Sequence, residues 1–121
     1  MELKEYQERA MTTCMASSNN FSYMFLNLVG EVGEFSSKVA KFIRKDKAGI
    51  ENDILMMCGC HTNDVEELKK EAGDILWQLS GLCSVMGWSL EDVAQQNLDK
   101  LAARKAVGTI DGNGDGIIRD K

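Results

Sequence analysis

Two pairs of acidic residues have a spacing that could do chemistry. Glu31 and Glu34 are three positions apart, and so are Glu71 and Asp74. Residues three apart share one face of an α-helix, so antiparallel packing of two such helices would bring four carboxylates together at one edge of the core. Four acids repel one another, at about 1 kcal/mol per pair at 4 Å in water and about 4 kcal/mol at an effective dielectric near 20. A bound divalent cation would relieve that repulsion.

The donor chemistry indicates which cation would fit. Hard oxygen ligands favour Mg²⁺ or Mn²⁺, with Ca²⁺ as a further option, over Zn²⁺. The simpler alternative is a solvated helix face on which the acids pair with Lys38, Lys41 and Lys45. Two features favour a site: the acidic motif occurs twice, and each copy contains a glycine, Gly33 or Gly73. A mid-helix glycine costs about 1 kcal/mol against alanine, which a helix tolerates where a backbone or ligand comes close.

Four helices must position these residues. The chain has 121 residues and no proline, and its apolar periodicity predicts an all-α bundle of four helices. Ser89 is expected to cap the fourth helix, and Gly87 to end the third. Thr62 or Asn63 is the expected cap of the third. The predicted helices cover about residues 2–17, 21–45, 64–86 and 89–106, with the least regular stretch at 46–61.

A weak internal repeat relates the second and third helices. A shift of forty residues places Glu31 on Glu71, Gly33 on Gly73 and Leu28 on Leu68. The apolar phase is kept throughout, which predicts that the two helices play equivalent structural parts. The predicted core stripe of the second helix is Leu28, Val32, Phe35, Val39 and Phe42.

Composition excludes several classes of protein. There are 14 Lys+Arg and 19 Asp+Glu, a net charge of −5, which argues against a partner that is a nucleic acid polymer. No apolar run reaches the roughly 20 residues of a membrane span, and no leader segment is evident, so no membrane partner is expected. Four irregularly spaced cysteines predict a reducing, cytoplasmic location. We expect a helical domain at 1–106 and a glycine-rich tail at 107–121.

Basic and amide side chains accompany the acids. Lys38 follows the acids along the polar face of the second helix, and Asn97, Lys100 and Arg104 share one face of the fourth. A divalent metal and an ammonium group both bind phosphate oxygens, so this set could bind a polyphosphate. The alternative is an ordinary solvated helix surface.

The spacing Glu31-x-x-Glu34 followed by Glu71-x-x-Asp74 resembles the signature of MazG-like nucleoside triphosphate pyrophosphohydrolases. The resemblance extends over most of the chain. Further matching segments are Leu3-x-Glu5-Tyr6-Gln7, Gly73-Asp74-Ile75-Leu76-Trp77, Asn97-Leu98-Asp99-Lys100-Leu101-x-x-Arg104, and Gly108-Thr109-Ile110 with Gly112-x-Gly114-Asp115.

The resemblance implies an all-α, Mg²⁺-dependent hydrolase that cuts the α–β phosphoanhydride of (d)NTPs to a nucleoside monophosphate and pyrophosphate. Glu31, Glu34, Glu71 and Asp74 would hold the metal, with Mn²⁺ as an alternative ion. Glu34, helped by Glu31, would activate water. The substrate-binding residues would be Lys38, Lys100 and Arg104 for the triphosphate, Asn97 for sugar or base, and Trp77 or Tyr6 for stacking on the base.

Two other motifs could bind a metal ion. Asp111-x-Asn113-x-Asp115-Gly116-x-Ile118 matches part of an EF-hand loop but lacks the bidentate glutamate of position twelve. It supports the alternative hypothesis, a non-catalytic helical interaction module with a calcium-binding tail. Cys58-Gly59-Cys60-His61 offers half of a zinc site.

Four helices give little cover for the two long acidic helices. We therefore also expect a homodimer or homotetramer.

Overall fold

The computed structural model describes residues 1–58 and 62–108. Within these residues the fold is mainly helical, as expected. In chain order the elements are helix α1 (Leu3–Met11), a short 3-10 turn (Ala16–Ser18), helix α2 (Phe21–Arg44), strands β1 (Ala48–Glu51) and β2 (Ile54–Met57), helix α3 (Thr62–Val85) and helix α4 (Leu90–Ala106).

Local side-chain chemistry explains most helix ends. Asn20 and Ser89 cap α2 and α4, because their side-chain oxygens accept from the backbone N–H groups three residues on. Gly87 follows α3 with a φ of 75°, the left-handed conformation that glycine adopts without strain. The predicted cap of α3 was wrong, because the helix already begins at Thr62.

The first helix is shorter than predicted. It ends at Met11 instead of continuing to residue 17. The hydroxyl groups of Thr12 and Thr13 donate to the carbonyl oxygens of Arg9 and Ala10 at 2.6 and 2.7 Å. Such local hydrogen bonds compete with helix propagation, so the chain leaves the helix here.

The prediction of an all-α fold was wrong for the segment after α2, which contains a β-hairpin. β1 and β2 pair antiparallel, with Ala48 opposite Met57 and Glu51 opposite Ile54. Asn52 and Asp53, which join the strands, both have positive φ values, 52° and 61°. Two such residues in succession form the turn that matches the twist of a two-residue hairpin.

The hairpin covers one end of the α2–α3 pair. Phe42, Ala48 and Leu68 form a buried cluster contributed by α2, β1 and α3. Leu55 and Met57 of β2 pack against it. The predicted core stripe of α2 therefore holds at Phe42, but Val32 is 51% exposed and does not belong to the core.

Helices α2 and α3 run antiparallel. Met24 lies against Gly81, Glu31 lies beside Asp74, and Lys38 contacts Glu67. In each of these pairs the two residue numbers add up to 105. A residue further along α2 thus meets one earlier on α3, which is the packing that the acidic motifs need in order to meet.

Helix α1 lies across α3 and the turn into α4. The side-chain amide of Gln7 donates to Ser84 Oγ at 2.9 Å and to the Trp88 carbonyl at 3.0 Å. Its oxygen accepts from the Leu90 N–H at 2.8 Å. One side chain thus joins α1 to the end of α3 and the beginning of α4.

Candidate functional site

The structure brings three of the four predicted acids together. Glu31, Glu71 and Asp74 each offer a carboxylate oxygen, and these three oxygens lie within 4.8 Å of one another. Glu31 and Glu71 are half-buried and Asp74 is exposed. We call these three residues the acid triad. Glu34 is exposed and stands outside this group.

The internal repeat explains why the acids meet. The shift of forty residues that maps α2 onto α3 carries Glu31 to Glu71 and Glu34 to Asp74. The antiparallel contact of Glu31 with Asp74 therefore has an equivalent in the pair Glu34 and Glu71. The residue numbers of Glu34 and Glu71 also add up to 105, so we expect both acid pairs at the same level of the antiparallel helix pair.

The charges in the acid triad act on one another. The pKa of Glu31 lies above its ordinary value of 4.5, chiefly because of burial. The negative charges of Asp74, Glu71 and Glu34, in that order, raise it further. The neighbouring carboxylates are therefore close enough to Glu31 to disfavour its ionised form, and a cation between them would reverse that effect.

A divalent metal fits this donor set. Mg²⁺ binds oxygen at 2.0–2.1 Å in octahedral geometry. That geometry puts neighbouring ligand oxygens about 3 Å apart and opposite ones about 4 Å apart. The triad oxygens all lie within 4.8 Å of one another, which is close to the separations that one such ion needs. All three donors are hard oxygen ligands, which suits Mg²⁺ or Mn²⁺.

Lys38 lies beside the acid triad, as the sequence predicted for a phosphate-binding residue. Its Nζ is 3.5 Å from Glu71 Oε1 and 4.0 Å from Glu67 Oε2. Its side chain is 30% exposed, so the ammonium group sits at the rim of the triad and still reaches solvent. Glu67 was not singled out from the sequence.

The two aromatic candidates have different surroundings. The indole N–H of Trp77 donates to Ala10 O at 3.2 Å and to Thr13 Oγ1 at 3.0 Å, so it binds α1. Tyr6, also on α1, is half-buried near the acid triad: burial raises the pKa of its hydroxyl group, and the charge of Asp74 raises it further. Of the two side chains, Tyr6 is the one on which the charge of Asp74 acts.

The α4 candidates are not members of the acid triad. Asn97 and Lys100 are exposed and line one cavity of about 270 Å³ together with Val93 and Gln96. Arg104 is half-buried on the same helix. Helix α4 packs against α1 and α3.

The expectation of a close backbone approach at the two motif glycines was wrong within this chain. A Cβ atom added at Gly33 or Gly73 would meet no atom within 4 Å among the described residues. The space beside both glycines is open. The approach of a ligand or a second chain to these glycines stays a prediction.

Comparison with known proteins shows the family of this chain. The family model of the MazG nucleotide pyrophosphohydrolase domain matches residues 19–108, which include both acidic motifs. The chain belongs to the MazG nucleotide pyrophosphohydrolase family. It is thus a member of a family of hydrolases that act on nucleotides, and the roles of its individual acids stay predictions.

The chain is also similar to a phage protein. The MazG chain is 36% identical over 99 residues to the Gene 37 protein of Mycobacterium phage L5. The alignment covers 82% of this chain and 78% of the phage protein. No solved structure matches the chain.

Several sequence predictions lie outside the described residues. They include Gly59, Cys60 and His61 of the half zinc site, and the EF-hand-like tail within 109–121. Cys58, the described member of the half site, is exposed and is not in a disulfide. Within residues 1–58 and 62–108, no helix is both long and apolar enough to cross a membrane.

One further polar residue near the site was not predicted. Gln78, one helical turn after Asp74, is only 6% exposed, and its Oε1 atom has no hydrogen-bond partner among the described residues. The sequence pattern of polar and apolar residues does not show whether Gln78 is buried or exposed to solvent. A buried, unpaired amide costs free energy, so Gln78 is a position where substitution is informative.

Proposed function

We propose that this protein is an Mg²⁺-dependent nucleoside triphosphate pyrophosphohydrolase. It would add water across the α–β phosphoanhydride of (d)NTPs and release a nucleoside monophosphate and pyrophosphate. The observation that carries the proposal is the convergence of Glu31, Glu71 and Asp74 from two antiparallel helices. Family membership supplies the substrate class, since its members are nucleotide pyrophosphohydrolases.

The acid triad is the proposed metal site, with Glu34 as a fourth ligand. Mg²⁺ is the expected ion and Mn²⁺ the alternative. When bound, such a metal neutralises negative charge on the phosphate oxygens. The protein itself holds the carboxylates in place on two rigid helices. No loop has to close in order to bring these carboxylates together.

Glu34 is the proposed base, assisted by Glu31. Glu34 is exposed and three residues from Glu31, so it reaches the solvent side of the site where a water molecule enters. Its carboxylate would accept a proton from that water as the water oxygen attacks phosphorus, and the pyrophosphate would leave.

Six residues are proposed to bind the nucleotide, with Trp77 and Tyr6 as alternatives for stacking on the base. Lys38 would bind phosphate oxygens next to the triad, where its ammonium group already lies. Lys100 and Arg104 would bind the triphosphate, and Asn97 the sugar or base. Trp77 stays a proposed stacking residue, although its N–H already binds α1, and Tyr6 is the better placed aromatic ring.

A homodimer or homotetramer is proposed because one face of α2 is apolar and exposed. Phe25, Leu26, Val29 and Val32 are 44–65% exposed on neighbouring positions of this helix. Contiguous exposed apolar surface of this kind typically marks a protein–protein contact. Light scattering tests the proposal: the wild type should have at least twice the mass of one chain, and Val29→Glu should shift the mass towards that of one chain.

A cytoplasmic location also stays a prediction.

Product analysis tests the proposed reaction. The protein is incubated with each common NTP and dNTP, once with Mg²⁺ and once with excess EDTA, and the products are separated by chromatography. Monophosphate and pyrophosphate in equal amounts, formed only with metal, are expected. Diphosphate and inorganic phosphate would contradict the proposed bond, and no hydrolysis of any nucleotide would contradict the proposed function.

A further inference from the structure

Lys38 of α2 is shared between two carboxylates of α3. Its Nζ lies 3.5 Å from Glu71 Oε1 and 4.0 Å from Glu67 Oε2. Glu71 is a member of the acid triad, whereas Glu67 lies one helical turn earlier and is not. The ammonium group therefore adds a positive charge to one edge of the triad and can be held by a carboxylate outside it.

The Lys38 ammonium group and a bound metal ion would compete for the Glu71 carboxylate. Both bind through its carboxylate oxygens, and two cations on one carboxylate repel each other. The Glu71 side chain is only 14% exposed, so water screens this repulsion poorly. Glu67, with 48% of its side chain exposed, is a neighbouring carboxylate that imposes no such conflict.

We propose that Lys38 is a counter-cation of the acid triad that competes with metal for Glu71, and that Glu67 holds the ammonium group when Glu71 binds metal. The inference rests on the proposed function only in assuming that the triad binds a divalent cation. Lys38 and Glu67 then act as positioning residues: metal binding releases the ammonium group from Glu71 and leaves it at the rim, where phosphate oxygens would arrive.

Calorimetric titration of the nucleotide-free protein with Mg²⁺ tests the competition. In Lys38→Met, which keeps the aliphatic stem and removes the charge, Mg²⁺ affinity should rise about tenfold. Lys41→Met is the matched control, because Lys41 is an exposed lysine three residues further along α2. It should change the affinity less than about twofold. Equal affinities in Lys38→Met and Lys41→Met would overturn the competition.

A double-mutant cycle tests the role of Glu67. Glu67→Gln should weaken Mg²⁺ binding about threefold more than Glu66→Gln, a control that removes an exposed carboxylate paired with Lys69 on the same helix. In the Lys38→Met background, where no ammonium group needs a partner, the two variants should have the same small effect. A Glu67→Gln effect that is unchanged by Lys38→Met would overturn the proposed role of Glu67.

Stability without metal gives a second readout. In EDTA, Lys38→Met leaves the triad without its counter-cation, so its thermal midpoint should fall about 3–5 °C below that of Lys41→Met. Equal midpoints would overturn the counter-cation role by themselves. If the wild type bound neither Mg²⁺ nor Mn²⁺, the proposed function would fail instead, so the two failures can be told apart.

Discussion

The indole N–H of Trp77 donates to Thr13 Oγ1 at 3.0 Å, and so ties α3 to the residues that follow α1. The same N–H is 3.2 Å from the Ala10 carbonyl oxygen. Since α1 also carries Tyr6, on which the charge of Asp74 acts, this contact holds α1 against the helix that carries Asp74. Trp77 thus has a structural role whether or not its ring meets the nucleotide.

Replacing Trp77 by phenylalanine separates these roles. Trp77→Phe keeps an aromatic ring but removes the donor, so the free energy of unfolding should fall by about 1 kcal/mol or more in urea denaturation. Thr13→Val, which removes one acceptor, should cost less, because the Ala10 carbonyl remains. Unchanged stability in Trp77→Phe together with a several-fold higher KM would favour the base-stacking role instead.

Much of the site was predictable because it depends on local spacing. The three-residue spacing of the acids and the forty-residue repeat hold in any helical arrangement, so the meeting of Glu31 with Asp74 needed only antiparallel packing. The caps at Asn20 and Ser89 were predictable for the same reason: each is set by a hydrogen bond within one turn.

The hairpin and the ion pairs were harder to predict. The run from Ile54 to Met57 is too short for its periodicity to distinguish a strand from a helix. The signal that was missed is Asn52-Asp53, since these residue types tolerate the positive φ values of a two-residue turn. The pairing of Lys38 with Glu67 depends on helix rotation and side-chain rotamers, which the sequence pattern does not encode.

Three of the four glycines in α2 and α3 should respond differently to alanine. Gly33→Ala and Gly73→Ala add a methyl group to open space, so each should raise the free energy of unfolding by up to about 1 kcal/mol. A Cβ at Gly81 would instead overlap Met24 Sδ, in a methionine that is fully buried. Gly81→Ala should cost about 1–3 kcal/mol. Denaturant titration of the three variants measures this, and destabilisation by Gly33→Ala would mean that another chain fills that space.

Removing one acid should change how the protein responds to metal. Without metal, Glu31→Gln relieves repulsion within the triad, so it should raise the thermal midpoint in EDTA above that of the wild type. Added Mg²⁺ should stabilise the wild type but not Glu31→Gln. Glu66→Gln is the control and should follow the wild type in both conditions. A Glu31→Gln variant that Mg²⁺ still stabilises would exclude Glu31 as a ligand.

The cysteines should differ in reactivity. Burial raises the pKa of the Cys83 thiol above its ordinary value of 9.0, and its side chain is 2% exposed. At pH 8 a thiol reagent should therefore modify exposed Cys58 well before Cys83, as mapped by mass spectrometry. A raised pKa means that the folded state keeps its proton longer than the unfolded state. Stability should therefore fall as pH rises past 9.0. Equal labelling rates at Cys58 and Cys83 would contradict the buried position.

Pyrophosphate release by Asp74→Asn is the most direct test of the acid triad as the catalytic metal site. The variant keeps the size and shape of Asp74 but removes its charge, and Glu66→Gln serves as the control for losing one carboxylate from α3. With saturating Mg²⁺ and the preferred triphosphate, kcat for Asp74→Asn should fall by at least about a hundredfold. Glu66→Gln should stay within about twofold of the wild type. An Asp74→Asn variant that releases pyrophosphate at close to the wild-type rate would contradict the account.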